Sequence, residues 1–78
     1  MDNIINEILE EVLRAEIKHP YWPKDNIHGA AIICEESGEL IRAALQLTYE
    51  KGYINALRDE AIQTAATCIR FIDNLKIK

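Results

Sequence analysis

The sequence predicts an all-α fold of three helices, and three observations carry that expectation. Apolar residues recur at helical spacing along most of the chain. No segment shows the strict apolar–polar alternation of a half-buried strand, and turn-forming residues gather at only two places. The composition agrees: 49% of the residues are apolar and 6% aromatic, with alanine, isoleucine, leucine and glutamate dominant. That suits helices with thin, closely packed seams.

The first turn signal is "HPYWPKDN", which begins at His19 and holds both prolines; the second is "EKGY", around Gly52. They leave three periodic segments. In the first, residues 2–18, Ile4, Ile5, Ile8, Leu9, Val12 and Leu13 form one stripe at i, i+1, i+4, i+5, the spacing of an amphipathic helix. Its acidic residues Asp2 and Glu7 come early and Arg14 and Lys18 late, in keeping with the helix dipole. The second segment, residues 26–51, has Asp25 or Asn26 as its N-cap and Gly52 just past its end. The third, residues 53–75, carries Leu57, Ala61, Ile62, Ala65, Cys68, Ile69, Ile72 and Leu75 as its apolar set.

The 78 residues make a single domain, 1–78. A chain this short buries only about 60–65% of the surface its unfolded form exposes, so disulfides, a metal or self-association usually supplement the core. Here a three-helix antiparallel unit completing a helical bundle by homo-oligomerisation is expected. Cys34 and Cys68 do not make a disulfide framework; they read as reduced, half-buried thiols of a cytosolic protein. With no cationic, apolar leader and no apolar run near the length of a membrane span, a soluble, cytoplasmic chain with no membrane partner is expected. The net charge of −4 argues against a phosphate-backbone footprint and hence against a nucleic-acid partner.

One stretch sits awkwardly in this scheme. "CEESGEL", Cys34 to Leu40, sets Glu35, Glu36 and Glu39 into a run that otherwise reads as a buried helix. Ionised carboxylates are almost never fully buried unless paired. At about 100° per residue the three share one arc of about 100° with Ile32 and Ala43, and Leu47, Leu40 and Ile33 follow directly. Solvated positions of this helix lie elsewhere, near Arg42 and Thr48. The carboxylates therefore face inward, or sideways into a cleft. On the third helix Glu60 borders the stripe of Leu57, Ala61 and Leu75, while Asp59 points about 100° away into solvent. If the second and third helices form an antiparallel hairpin through Gly52, Glu60 and Glu39 are offset by one to two turns at about 1.5 Å per residue. Four carboxylates so close cannot all stay ionised unaided, because like charges raise one another's pKa. A hard divalent cation with oxygen ligands removes the conflict, and Mg2+ is the usual choice beside phosphates. The plainer reading is that EExxE falls on a surface helix by accident.

At these residues the chain resembles the MazG-like superfamily of all-α nucleoside triphosphate pyrophosphohydrolases, in particular its short, phage-like members. The hallmark of that family is E-E-x-x-E on one helix and E-x-x-D on the next. The first part stands complete as Glu35, Glu36 and Glu39. The second stands as "EAIQ", Glu60 to Gln63, followed by the alanine-rich "TAATCIRFI", and the resemblance covers residues 26–75. It implies an enzyme that uses Mg2+ or Mn2+ to cleave a (d)NTP at the α-phosphorus, giving the nucleoside monophosphate and pyrophosphate. Glu35, Glu36, Glu39 and Glu60 would be the catalytic residues and metal ligands, with Gln63 at the remaining ligand position. Such a metal acidifies water and neutralises phosphate charge. The resemblance also implies a homodimer or homotetramer, which agrees with the size argument. One departure stands out: the family's final aspartate is Gln63 here. An amide carbonyl supplies an oxygen without a charge and holds a divalent ion less firmly. It raises the alternative of a non-catalytic helical bundle, for oligomerisation or nucleotide binding, that has lost turnover.

Other residues carry substrate readings beside plainer ones. Trp22, with Tyr21, could stack on a nucleobase or close the bundle end as an aromatic lid. His28, two turns before Glu35, could meet a phosphate or base, or be a partly buried polar neighbour. Lys24, Lys51 and Arg58 are candidate phosphate partners, with a solvated charge as the plainer reading of each. Glu16 with His19, and Asp25 with His28, imitate the carboxylate-x-x-histidine spacing of di-iron bundles. Pro20 ends the first helix at once, however, and the second pair straddles a cap. Neither a Gly-rich phosphate loop nor a Cys/His zinc pattern is present.

Overall fold

The computed structural model describes residues 1–75. They form three α-helices in the order α1 (Asp2–Lys18), α2 (Asn26–Tyr49) and α3 (Ile54–Asp73), with no strand among the described residues. Local chemistry sets each boundary. α1 stops at His19 (φ −133°, ψ 78°), outside the helical region that a following proline disfavours, and Pro20 has no N–H with which to continue. α2 begins behind Asp25, whose side chain accepts from the Ile27 N–H at 3.0 Å, an N-cap that satisfies one of the helix's free donors. α3 ends at Asn74, whose Nδ2 donates to the Arg70 carbonyl at 2.8 Å.

The turn between α2 and α3 assigns Gly52 a role other than the left-handed cap its position suggests. No glycine among the described residues has a positive φ. Instead the Gly52 N–H donates to the Gln46 carbonyl at 3.1 Å. A Cβ there would lie 2.7 Å from both the Gln46 carbonyl carbon and the Leu47 nitrogen. The glycine is needed for close approach, not for handedness.

α3 is the central helix: it packs on both α1 and α2, more extensively on α2, whereas α1 and α2 do not pack on each other. Cross-helix contacts give the directions. Gly29 lies against Phe71 and Thr64 reaches the Glu36 carbonyl, so α2 and α3 are antiparallel. Arg58 pairs with Glu7 and Arg70 donates to the His19 carbonyl, so α1 runs parallel to α3. The result is an up-down-up unit of 45 × 27 × 22 Å.

The interior is thin. Among the described residues only Ala43 and Ala66 are buried apolar residues, and no large side chain is fully enclosed, although each enclosed Leu or Ile contributes about 1.5–3 kcal/mol. On α1, Ile8 and Val12 are half-buried while Ile4, Ile5, Leu9, Leu13 and Ile17 are exposed in a stripe. On α2, Ile27, Cys34, Ile41 and Leu45 are exposed; they recur at i, i+7, i+14 and i+18 and so share a face. Cys34 is thus an exposed thiol and not the half-buried one its sequence context suggests, whereas Cys68 is half-buried and both are free. The chain exposes 6153 Å², about 1,300 Å² more than the roughly 4,800 Å² expected of a folded monomer of its mass. Among the described residues no helix is long and apolar enough to cross a membrane.

Candidate functional site

Because α1 and α2 flank α3 without meeting, they leave a groove of about 700 Å³. Its floor is α3, through Gln63, Ala66, Thr67 and Arg70, residues at i, i+3, i+4 and i+7 that share one helical face. Ala66, 2% exposed, keeps that floor low. The α2 wall holds Ile32, Glu35 and Glu36; the α1 wall holds Glu11, Arg14 and Lys18; and Trp22 and Tyr21 stand at the loop end.

The acidic end centres on Glu36, which is half-buried between α2 and α3. Burial, and then the charges of Glu60, Glu39, Glu35 and Glu11 in that order, raise its carboxyl above the usual range. Its Oε2 is buried without a hydrogen-bond partner, and so is Oε2 of Glu60 on the facing turn of α3. The backbone around them is already satisfied: Thr64 Oγ1 donates to the Glu60 carbonyl at 2.7 Å, Thr67 Oγ1 to the Gln63 carbonyl at 2.8 Å, and Ser37 Oγ to the Cys34 carbonyl at 2.9 Å. The unmet polar capacity therefore lies in the two carboxylates.

The side chains expected to hold a cation are all oxygen donors, Glu35, Glu36, Glu39, Glu60 and the Gln63 amide, the ligand type that Mg2+ and Mn2+ take. Two of these oxygens are shielded with nothing donating to them, which is where a cation relieves most cost. With the side chains as they stand, no three His, Cys, Asp or Glu among the described residues converge into a ready-made metal centre.

The opposite end is cationic and aromatic. Arg70 is only 8% exposed; its Nη2 donates to the His19 carbonyl at 2.7 Å, and its Cζ stands 5.1 Å from the centroid of the Trp22 ring. A Cβ on Gly29 would meet Trp22 Nε1 at 3.1 Å and Phe71 at 3.2 Å, so the glycine makes room for the indole against the start of α2. Lys18 and His19 line the same end, while Arg14 is paired with Glu11.

The expected site residues divide accordingly. Glu35, Glu36, Gln63 and Trp22 line the groove, and Glu60 and the exposed Glu39 act on Glu36 by their charge. Of the triplet, only Glu36 is turned inward. α3 lies against the part of the α2 arc that holds Leu40, Ile33 and Leu47, all half-buried, which leaves Glu35 at the rim. His28 and Lys24 are exposed and do not line the groove. Arg58 is engaged with Glu7 in two hydrogen bonds of 2.7 and 2.5 Å, and that pairing holds the Glu7 carboxyl below the usual range. Lys51 is exposed at the α2–α3 turn. Arg70, Lys18 and Glu11 were not among the site residues expected from the sequence. The signal for Arg70 was its spacing: it follows Gln63 by two turns, on the same face of α3. Compared with known proteins, the chain matches no family model, no curated protein and no solved structure.

Proposed function

We propose that the chain is a MazG-like, Mg2+-dependent nucleotide pyrophosphohydrolase, converting a (d)NTP to the nucleoside monophosphate and pyrophosphate. The observation that carries this reading is the pair of shielded carboxylate oxygens on Glu36 and Glu60 that nothing in the described chain answers. Two acids held so, beside an open groove, are destabilising unless a cation joins them. Mg2+ held by Glu35, Glu36, Glu39 and Glu60 with the Gln63 carbonyl would neutralise phosphate charge and acidify a water. The chain's own residues supply the rest. The groove, about 700 Å³, is of the size that small-molecule sites take. One of the glutamates would accept a proton from the attacking water. Trp22 offers an aromatic surface to a base. The surplus accessible surface and the exposed stripes on α1 and α2 support a homodimer or homotetramer. A cytoplasmic setting, without nucleic acid or membrane, completes the reading.

Gln63, neutral where a charged ligand would grip the cation, favours a second reading: a helical bundle that binds nucleotide or assembles without turnover. Pyrophosphate release from a panel of canonical and modified NTPs, with Mg2+ or Mn2+, separates the two. The enzyme reading expects release that disappears in Glu36→Gln. No release from any nucleotide with either metal leaves the bundle.

A further inference from the structure

Arg70 presents a problem that the acidic end does not solve. It is more than nine-tenths buried, yet among the described residues no carboxylate pairs with it. Its Nη2 is satisfied by the His19 carbonyl and its plane is braced by Trp22, but its Nε has no acceptor. A buried, unpaired cation is destabilising. A guanidinium fixed on two sides with donors to spare is also pre-organised for a planar or tetrahedral oxyanion. Lys18 lines the same end of the groove, and Arg14 is already engaged by Glu11. Two uncommitted cations favour a doubly charged group over a single carboxylate. Glu35 and Glu36 at the other end repel any anion that is not held firmly here.

We propose that Arg70, braced by Trp22 and the His19 carbonyl and assisted by Lys18, forms a metal-independent phosphate-binding site at the loop end of the groove. The site deepens the nucleotide reading, and rests on it for the choice of a phosphate. Its binding needs neither the divalent cation nor turnover. The groove then has two separate handles: carboxylates that take a cation and a guanidinium that takes a phosphate oxygen directly. Pyrophosphate or a nucleoside monophosphate stays bound when the metal is stripped away, and competes with substrate.

The chain carries its own reporter, since its one tryptophan is the ring on which Arg70 rests. The experiment titrates inorganic pyrophosphate, inorganic phosphate and citrate into the whole chain at neutral pH with EDTA and constant ionic strength, reading Trp22 emission. Pyrophosphate is expected to give a saturable change, phosphate a weaker one, and citrate none. Arg70→Gln should weaken pyrophosphate binding by roughly tenfold or more, and Arg70→Lys by less, because one charge-assisted hydrogen bond is worth about that factor. Circular dichroism checks that each variant folds. Should Arg70→Gln not fold, Lys18→Gln serves, with a several-fold weakening expected. A silent wild-type titration, citrate binding as tightly as pyrophosphate, or undiminished binding in the folded Arg70→Gln (or in Lys18→Gln when that is the variant used) would each overturn the site. Metal-dependent hydrolysis without metal-free binding defeats this site and leaves the proposed function standing. Metal-free binding without hydrolysis does the reverse.

Discussion

Glu36 concentrates the opposed costs of the site in one side chain. Burial comes first, and the neighbouring acids Glu60, Glu39, Glu35 and Glu11 follow, all disfavouring its ionised form. A carboxyl whose folded pKa is raised binds its proton more tightly folded than unfolded. Stability is therefore full below the ordinary value of 4.5 and falls as pH rises from there through the raised value. Glu7 acts with the opposite sign: Arg58 holds its carboxyl below 4.5, so its contribution is present above that value and fades as pH falls through the lowered one. The two windows lie on either side of 4.5 and can be scanned separately. Without metal, Glu36→Gln should flatten the loss of stability above 4.5 and raise the melting temperature. Calorimetric titration should show Mg2+ binding lost in the same variant. If Glu36→Gln melted below the wild type without metal, the carboxylate would be a structural partner and the cation reading would fail.

At the scale of elements, Gly52 shows what a sequence can and cannot state. Its position in "EKGY" marks the turn, and the turn is there. Its reason is a close approach to the backbone of Gln46 and Leu47 in the last turn of α2, of which composition alone carries no sign. Gly52→Ala should cost about 1–3 kcal/mol, the usual range for forcing atoms into filled space, read as a lower melting temperature with helix content retained. An unchanged melt would mean that the turn relaxes freely. The helices were legible because periodicity, Pro20 and the Asp25 cap are local signals. The acidic end was legible in outline, since Glu36 and Glu60 announce themselves by apolar neighbours. The rotation of α2 was less so: a wheel fixes the arc, not which part of it meets α3, and so Glu35 and Glu39 came out more exposed than Glu36. Arg70 stayed hidden because its partners, His19 and Trp22, belong to a loop that only tertiary packing brings to it. The Arg58 pairing stayed hidden for the same reason, its partner Glu7 lying on another helix. Replacing Arg58 by Met should speed hydrogen exchange in α1 relative to α2, since that pair is a side-chain tie between α1 and α3. Equal exchange would show that Ile8 and Val12 hold α1 unaided.

The whole molecule has the opposite imbalance to its site: too much apolar surface, where the site has too much charge. A surplus of about 1,300 Å² of total surface per chain, taken against the size expectation, is of the order that stable homodimers bury, and the exposed stripes offer apolar residues for it. On α2 the face of Ile27, Ile41 and Leu45 continues past the acidic end, with Ile41 61% exposed. α3 adds Ile54 and Ile72, also exposed. Light scattering at micromolar concentration should therefore give the mass of two or four chains, with α2 and α3 in the interface. Ile41→Glu is the sharpest probe of that arrangement. In a lone chain the side chain already faces water, so a glutamate there removes no internal packing and should leave the melting temperature within the small range of surface substitutions. In an assembly it places a charge in an apolar seam. A simultaneous fall in mass and melting temperature then reports an interface and not a damaged core. The 8.9 kDa mass of one chain for the wild type, with activity retained, would remove both the assembly and any need for a second chain to complete the groove.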